Sequence, residues 1–144
     1  MIGIDTNILL YSLNPSSKFH VPAVQFLNQC LGDRTRRIAI ADYVLVELYN
    51  NLRNQVVMRH PLTPRKATEI VKSYWQFQNV SRIEYAPVMD KVWEYASGTQ
   101  FAQRRIFDVR LALTLQYHGV DEFVTANVKD FEQLGFRSVW NPVD

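Results

Sequence analysis

Five short apolar runs alternate with segments of helical period along this chain, and that alternation limits its fold more than any other feature. The runs are MIGI (1–4), RRIAIA (36–41), RIEY (82–85), EFVTA (122–126) and RSVW (137–140). Their length and their β-branched or small apolar residues suit strands rather than helices. Between them the spacing predicts helices. Thr6 caps the first, with Ile8, Leu9, Tyr11 and Leu13 following until Asn14–Pro15 stops it. A second covers 19–31 and ends at Gly32, and Asp42 caps a third through YVLVELYNNLRN. After the break at His60–Pro61, Thr63 and Pro64 form an N-cap and first-turn pair opening a helix to about residue 79. Pro87 opens another through Val92 and Tyr95 with Gly98 near its end, 106–118 is stopped by Gly119, and 127–134 is a short helix before Gly135. Strands separated by helices pair in parallel and are covered on both faces. The expected fold is therefore α/β, a three-layer α/β/α sandwich with a central parallel sheet. With no repeat, linker or low-complexity stretch, residues 1–144 are expected to form a single domain.

A chain of 144 residues buries about two thirds of its unfolded surface, and 47% hydrophobic residues supply the core. Cys30 is alone, which leaves no disulfide framework and no cysteine-based zinc site. The N-terminus lacks the basic and apolar regions of a signal peptide, and its apolar run falls far short of the roughly 20 residues that span a bilayer. The expectation is a soluble cytoplasmic domain without membrane contact. The net charge of +2 is too small to attract a polyanion by itself, but eleven of the sixteen basic residues are arginine. Arginine forks match phosphates, so any nucleic-acid surface must be local.

Ligands of open parallel sheets sit beyond the carboxyl ends of the strands. Asp5 stands at such an end, between the apolar pair Ile2, Ile4 and the run 8–10. Most other acids, among them Asp33, Glu69, Asp90, Glu94, Asp121, Glu122, Glu132 and Asp144, fall on solvated faces. Two do not. Asp108 shares a helical stripe with Leu111, Ala112 and Leu115, opposite Arg110, Thr114 and Tyr117. Either it caps a helix beginning at Val109, or it is a buried acid that needs a partner. Glu47 is the only acid in YVLVELYNNLRN and heads a polar stripe with Asn50 and Asn51, which reads either as an exposed helix face or as part of a site. Three acids converging at one sheet edge would repel one another unless a divalent cation neutralised them. All-oxygen ligation suits Mg²⁺ or Mn²⁺, and His20, His60 and His118 have no metal-ligand spacing.

At this point four stretches carry a resemblance. DTNILLY (5–11), Glu47 within VLVELYNNL, FDVRLAL (107–113) and VTANVKDF (124–131), in this order over nearly the whole chain, resemble the PIN-domain ribonucleases, and among them the VapC-type toxins of toxin–antitoxin pairs. The resemblance implies the α/β/α sandwich and cleavage of RNA with Mg²⁺, or Mn²⁺ in its place, held by three or four acids. Carried over by position, it implies catalytic roles for Asp5, Glu47, Asp108 and Asn127, with Asp5 and Asp108 holding the metal. Thr6 and Asn7 would orient Asp5, and Thr125 would hydrogen-bond within the cluster. The chain departs from the pattern at Asn127, where many members carry an acid, so one negative charge is missing. Asp130 does not obviously replace it, because Asn127 suits an N-cap and Asp130 the third position of the same short helix. The resemblance also implies an RNA substrate, a cognate antitoxin whose tail enters the active-site groove, and a homodimer.

The expected chemistry is metal-assisted phosphodiester hydrolysis, in which Glu47 holds or deprotonates the attacking water. Arg104, Arg105, Arg110 and Lys129 are the candidates for RNA binding, with Arg34, Arg36 and Arg37 as further cations, each also explicable as surface charge. The aromatics Tyr74, Trp75 and Phe77 fit core packing or a dimer contact better than base stacking. The alternative is a catalytically weak or inactive PIN-like module, disabled at Asn127, that only binds RNA or protein. A phosphoacceptor domain would need a second acid beside Asp5, and a dinucleotide fold would need a glycine-rich turn where DTN stands.

Overall fold

The computed structural model describes residues 1–144. Its five strands are β1 (Ile2–Ile4), β2 (Ile38–Ala41), β3 (Val80–Ile83), β4 (Glu122–Val124) and β5 (Ser138–Trp140). Its seven helices are α1 (Thr6–Leu13), α2 (His20–Gly32), α3 (Asp42–Leu52), α4 (Pro64–Ser73), α5 (Met89–Ala96), α6 (Arg105–Tyr117) and α7 (Val128–Phe131). All strand pairs are parallel, in the order β3-β2-β1-β4-β5. β1 is central, registered through Ile2↔Ile38 on one side and Ile4↔Val124 on the other.

That order follows from the handedness of crossovers. The chain moves outward from β1 through β2 to β3, then returns past β1 to lay down β4 and β5. Right-handed connections place helices made before and after the return on opposite faces. α1 to α4 pack in series in one layer, and α5 to α7 in the other. The return creates a switch point between β1 and β4, where loops diverge to opposite faces and leave a crevice.

Gly3 brings the second layer close to this crevice. A Cβ at this position would come within 3.1 Å of Phe123 Cδ2 and Val120 Cγ1 and 3.3 Å of Leu115 Cδ1. Its absence lets the C-terminal end of α6 rest on β1. That end closes with a Schellman motif, in which the Val120 amide donates to the Leu115 carbonyl and Gly119, at φ 88°, donates to Gln116. The core is apolar throughout, with Ile4, Ile8, Leu9, Ile38, Ile40, Leu48 and Phe123 buried completely or nearly so. No helix is long and apolar enough to cross a membrane.

Several boundaries differ from the sequence reading. Asp5, not Thr6, caps α1, because its carboxylate accepts from the Thr6 amide while the Thr6 hydroxyl is committed to Glu47. Asp42 is the first residue of α3, since Ala41 ends β2 in the extended conformation the cap requires. β2 starts at Ile38 because Arg36 still closes a turn onto the Asp33 carbonyl. α4 ends at Ser73 and continues as a 3-10 turn over Tyr74–Gln76, which frees residues 80–83 to register against β2. Thr63 caps α4 as expected, its hydroxyl accepting from the Lys66 amide with Pro64 following. Of the aromatic cluster, Tyr74 is buried, Trp75 carries the Arg82 guanidinium 4.7 Å from its ring centre, and Phe77 is partly exposed.

Candidate active site

Asp5 leaves β1 at the switch point. Its amide is held by the Val124 carbonyl at 3.0 Å, so the end of the sheet ladder fixes its backbone. Its side chain is 8% exposed and meets three donors. Oδ1 accepts from the Thr6 amide at 2.8 Å, and Oδ2 accepts from Asn7 Nδ2 at 3.0 Å and Thr125 Oγ1 at 2.7 Å. Oδ1, with one such bond, keeps a free lone pair. No cation balances the charge. Burial therefore pushes Asp5 from 3.8 up to about 6, against the pull of Thr125 and Thr6 and with further upward pressure from Glu47 and Asp108.

Thr125, directly after β4, is completely buried and organises the neighbourhood. Its hydroxyl donates to Asp5 and accepts from the Asn127 amide at 3.0 Å and from Asn7 Nδ2 at 3.2 Å. Asn7 Oδ1 in turn accepts from the Ala126 amide at 3.1 Å, tying α1 to the chain after β4. On the other side, Thr6 Oγ1 donates to Glu47 Oε2 at 2.9 Å. Glu47 thus reaches the site from α3 while remaining exposed. Its burial pattern follows the polar stripe, since Leu45 and Leu48 are buried and Asn50 is exposed.

Asp108 lies in the first turn of α6 and does not cap it. The helix begins at Arg105, so the N-cap reading from Val109 fails. Its stripe partners Leu111, Ala112 and Leu115 are buried, and Asp108 is half-buried at the stripe's open end, where the helix dipole favours a negative charge. Burial and the Asp130 carboxylate push its pKa up, Arg105 draws it down, and Glu47 adds upward pressure.

These side chains line one cavity of about 510 Å³, with Asp5, Thr6, Asn7, Glu47, Asn51, Asp108, Asn127 and Asp130 around it. Four carboxylates therefore share the space with one cation, Arg104. Asn127 sits at the N-cap position of α7 without a side-chain cap bond, and its carbonyl accepts from the Asp130 amide at 3.0 Å. Asp130 has the helical position expected and also faces the cavity, where its charge acts on Asp108. The other basic candidates lie apart. Arg105 is turned to α7, its Nη2 donating to the Asp130 carbonyl at 3.1 Å, and it starts α6 rather than preceding it. Arg110 lines a neighbouring cavity, and Lys129 another beside Asn141 and Asp144.

Tyr43, Leu10, Phe107 and Phe131 also line the main cavity. The sequence reading passed over Tyr43, although it stands one helical turn before Glu47 and so shares its face. The donor set is all oxygen, which fits a hard divalent cation. No three acidic side chains are gathered tightly enough to enclose an ion unaided.

The comparisons with known proteins agree with this architecture. Over 143 residues the chain is 44% identical to ribonuclease VapC24 of Mycobacterium tuberculosis, covering 99% of this chain and 97% of that protein. Its fold is similar to that of Mycobacterium tuberculosis VapC20, described as a sarcin-ricin loop cleaving toxin, with a TM-score of 0.69 and 17% identity over 94% of this chain and 96% of that one. It is also similar to a chain of FitAcB from Neisseria gonorrhoeae, with a TM-score of 0.62 and 20% identity over 99% and 98% of the two chains. The PIN domain family model matches residues 2–137, and the chain belongs to the PIN domain family.

Proposed function

We propose that this protein is an endoribonuclease dependent on Mg²⁺, or on Mn²⁺ as substitute, that hydrolyses RNA phosphodiester bonds and acts as the toxin of a toxin–antitoxin pair. The observation that carries the proposal is Asp5, an uncompensated carboxylate held by three donors at the switch point above a cavity with three further acids. The 44% identity to a ribonuclease over nearly the whole chain supports the same reading.

In this reading Asp5 and Asp108 hold the ion, and Glu47 and Asn127 complete the catalytic set. The ion supplies acidification of a water molecule and screening of the charge that builds on the phosphate. Thr6, Asn7 and Thr125 hold the Asp5 carboxylate in one orientation, so no reorganisation is needed as the reaction proceeds. Glu47, steadied by the Thr6 hydroxyl, accepts a proton from the attacking water. Asn127 would offer a neutral carbonyl oxygen in place of a fourth acid, so the site has one negative charge fewer with which to hold a second ion. Arg104 meets the incoming phosphate backbone, with Arg105, Arg110 and Lys129 as outlying cations.

The protein acts in the cytoplasm, in keeping with its unpaired Cys30. It is held in check by a cognate antitoxin protein and pairs as a homodimer. The exposed apolar side chains of Met89 and Trp93 on α5 and nearby Tyr85 give it a surface to cover.

The test is cleavage of a single-stranded RNA library by purified protein in Mg²⁺, Mn²⁺ or EDTA, beside Asp5→Ala and Asp108→Asn. Metal-dependent cleavage lost in both variants is the expected result. Cleavage that survives either substitution would overturn the roles given to Asp5 and Asp108, whereas no cleavage and no divalent-ion binding by calorimetry would leave the alternative of a non-catalytic binding module.

A further inference from the structure

Beside the carboxylate cavity lies a second one of about 230 Å³, beyond the carboxyl ends of β2 and β3. It is lined by Asp42, Tyr43, Glu84, Phe107, Arg110 and Thr114, together with Ala41 and Leu111. Tyr43, Phe107 and Leu111 border both cavities, so the two adjoin along a shared wall. The volume falls below the roughly 300–1,000 Å³ of sites for drug-sized ligands and suits one small ring system. Phe107 is 55% exposed and Tyr43 41% exposed, so both rings present apolar surface to solvent at the cavity wall. Ring faces open to solvent beside a nuclease site are platforms for an unstacked base.

The polar groups are of both signs. Glu84 is engaged by Arg82 at 3.3 Å, whereas neither Asp42 nor Arg110 has an ion-pair partner. Burial and the Glu84 carboxylate push the pKa of Asp42 up, opposed by the charge of Arg82 and by a hydrogen bond from the Asp42 backbone. A free carboxylate and a free guanidinium at one small cavity define the base that fits. Guanine alone presents two adjacent donors, N1–H and N2–H₂, on its pairing edge, which a carboxylate accepts together. Its O6 and N7 are the preferred acceptors for an arginine fork. Adenine and cytosine each place a ring acceptor beside their amino donor, and uracil flanks its single N–H with two carbonyls, so each would set a lone pair against Asp42.

We propose that this cavity is a guanine-selective subsite of the RNA substrate, with Asp42 and Arg110 reading the base edge and Tyr43 and Phe107 holding its face. The proposal rests on the ribonuclease reading for its place in cleavage, but its binding chemistry can be tested without turnover. Binding of GMP, AMP, CMP and UMP is followed by amide chemical shifts in the wild type, Asp42→Asn and Phe107→Leu. In parallel, RNA ends are sequenced after digestion of a randomised single-stranded library in Mg²⁺ by the same three proteins. The expected result is selective binding of GMP, with shifts mapping to residues 42–43 and 107–114, weakened by about tenfold in either variant. Wild-type cut sites carry guanine at one fixed distance from the scissile bond, and Asp42→Asn loses that enrichment. Selective GMP binding without any RNA cleavage keeps the subsite and overturns the ribonuclease reading. Metal-dependent cleavage without guanine enrichment, or binding of all four nucleotides with equal strength, overturns the subsite and leaves the ribonuclease reading standing.

Discussion

Replacing Asp5 with asparagine should stabilise this protein at neutral pH while removing its activity. The folded carboxyl group titrates at about 6 against an ordinary 3.8. The folded state therefore holds this proton more tightly than the unfolded chain, and the sign follows from linkage. Stability from this group is fully present below about pH 4 and is lost as pH rises through about 6. Above that, the ionised carboxylate costs about 3 kcal/mol. Asparagine removes the charge and keeps the Oδ1 bond to the Thr6 amide. It places an amino group where Oδ2 accepted from Asn7 Nδ2 and Thr125 Oγ1. Thr125 already accepts from Asn127 and Asn7, so at least one donor loses its partner, at about 1–2 kcal/mol. The net at pH 7.5 is a gain of about 1–2 kcal/mol, or several degrees in Tm for a domain of this size. At pH 4.5 the wild-type group is largely protonated and the gain vanishes or reverses. Urea unfolding in EDTA at the two pH values measures this directly. Equal effects at both pH values, or destabilisation by Asp5→Asn at pH 7.5, would refute the claim that an uncompensated buried charge sits at the end of β1. Adding Mg²⁺ should then raise the stability of the wild type but not of the variant, because only a charged Asp5 rewards a bound cation.

Thr125→Val keeps the volume of a fully buried side chain but deletes the hydroxyl that donates to Asp5. We expect a loss of about 2–3 kcal/mol in stability at neutral pH and a further rise in the Asp5 pKa, read by carboxyl NMR in EDTA. Arg104→Ala removes the only cation of the carboxylate cavity. The Michaelis constant for RNA should rise several-fold with a smaller change in kcat, and the slope of affinity against log salt should shrink by about one. Gly3→Ala places a methyl group 3.1 Å from Phe123 and Val120, and thermal unfolding should show a loss of about 1–3 kcal/mol. Because the displaced helix is the one that carries Asp108, activity should fall more steeply than stability alone explains.

The elements that the sequence made legible are those whose signals are local. Thr63–Pro64 announces α4, Gly119 announces the end of α6, and the spacing of Leu111, Ala112 and Leu115 announces its buried face. The boundaries that shifted are the ones where a tertiary partner competes with a local preference. Thr6 would cap α1 if Glu47 did not take its hydroxyl, and a helix to residue 79 would be acceptable if β2 did not draw residues 80–83 into register. Within the candidate site, Asp5 and Asp108 stand out in the sequence because a charge in an apolar stretch is anomalous. Tyr43 and Phe107 do not, because an aromatic in such a stretch reads as core until exposure is known. Asp130 was legible as a helix position, but its closeness to Asp108 was not.

By itself the sequence determined that short parallel strands alternate with helices and that at least one carboxylate lies at a strand end. Those properties follow from periodicity within a few residues. Only the tertiary structure decided the order β3-β2-β1-β4-β5, and with it that Asp5 after β1 would meet Thr125 after β4, 120 residues away. Strand order is set by which apolar faces bury best together, a sum over distant contacts that no short stretch records. The cavity, its four carboxylates and the raised pKa of Asp5 all depend on that order.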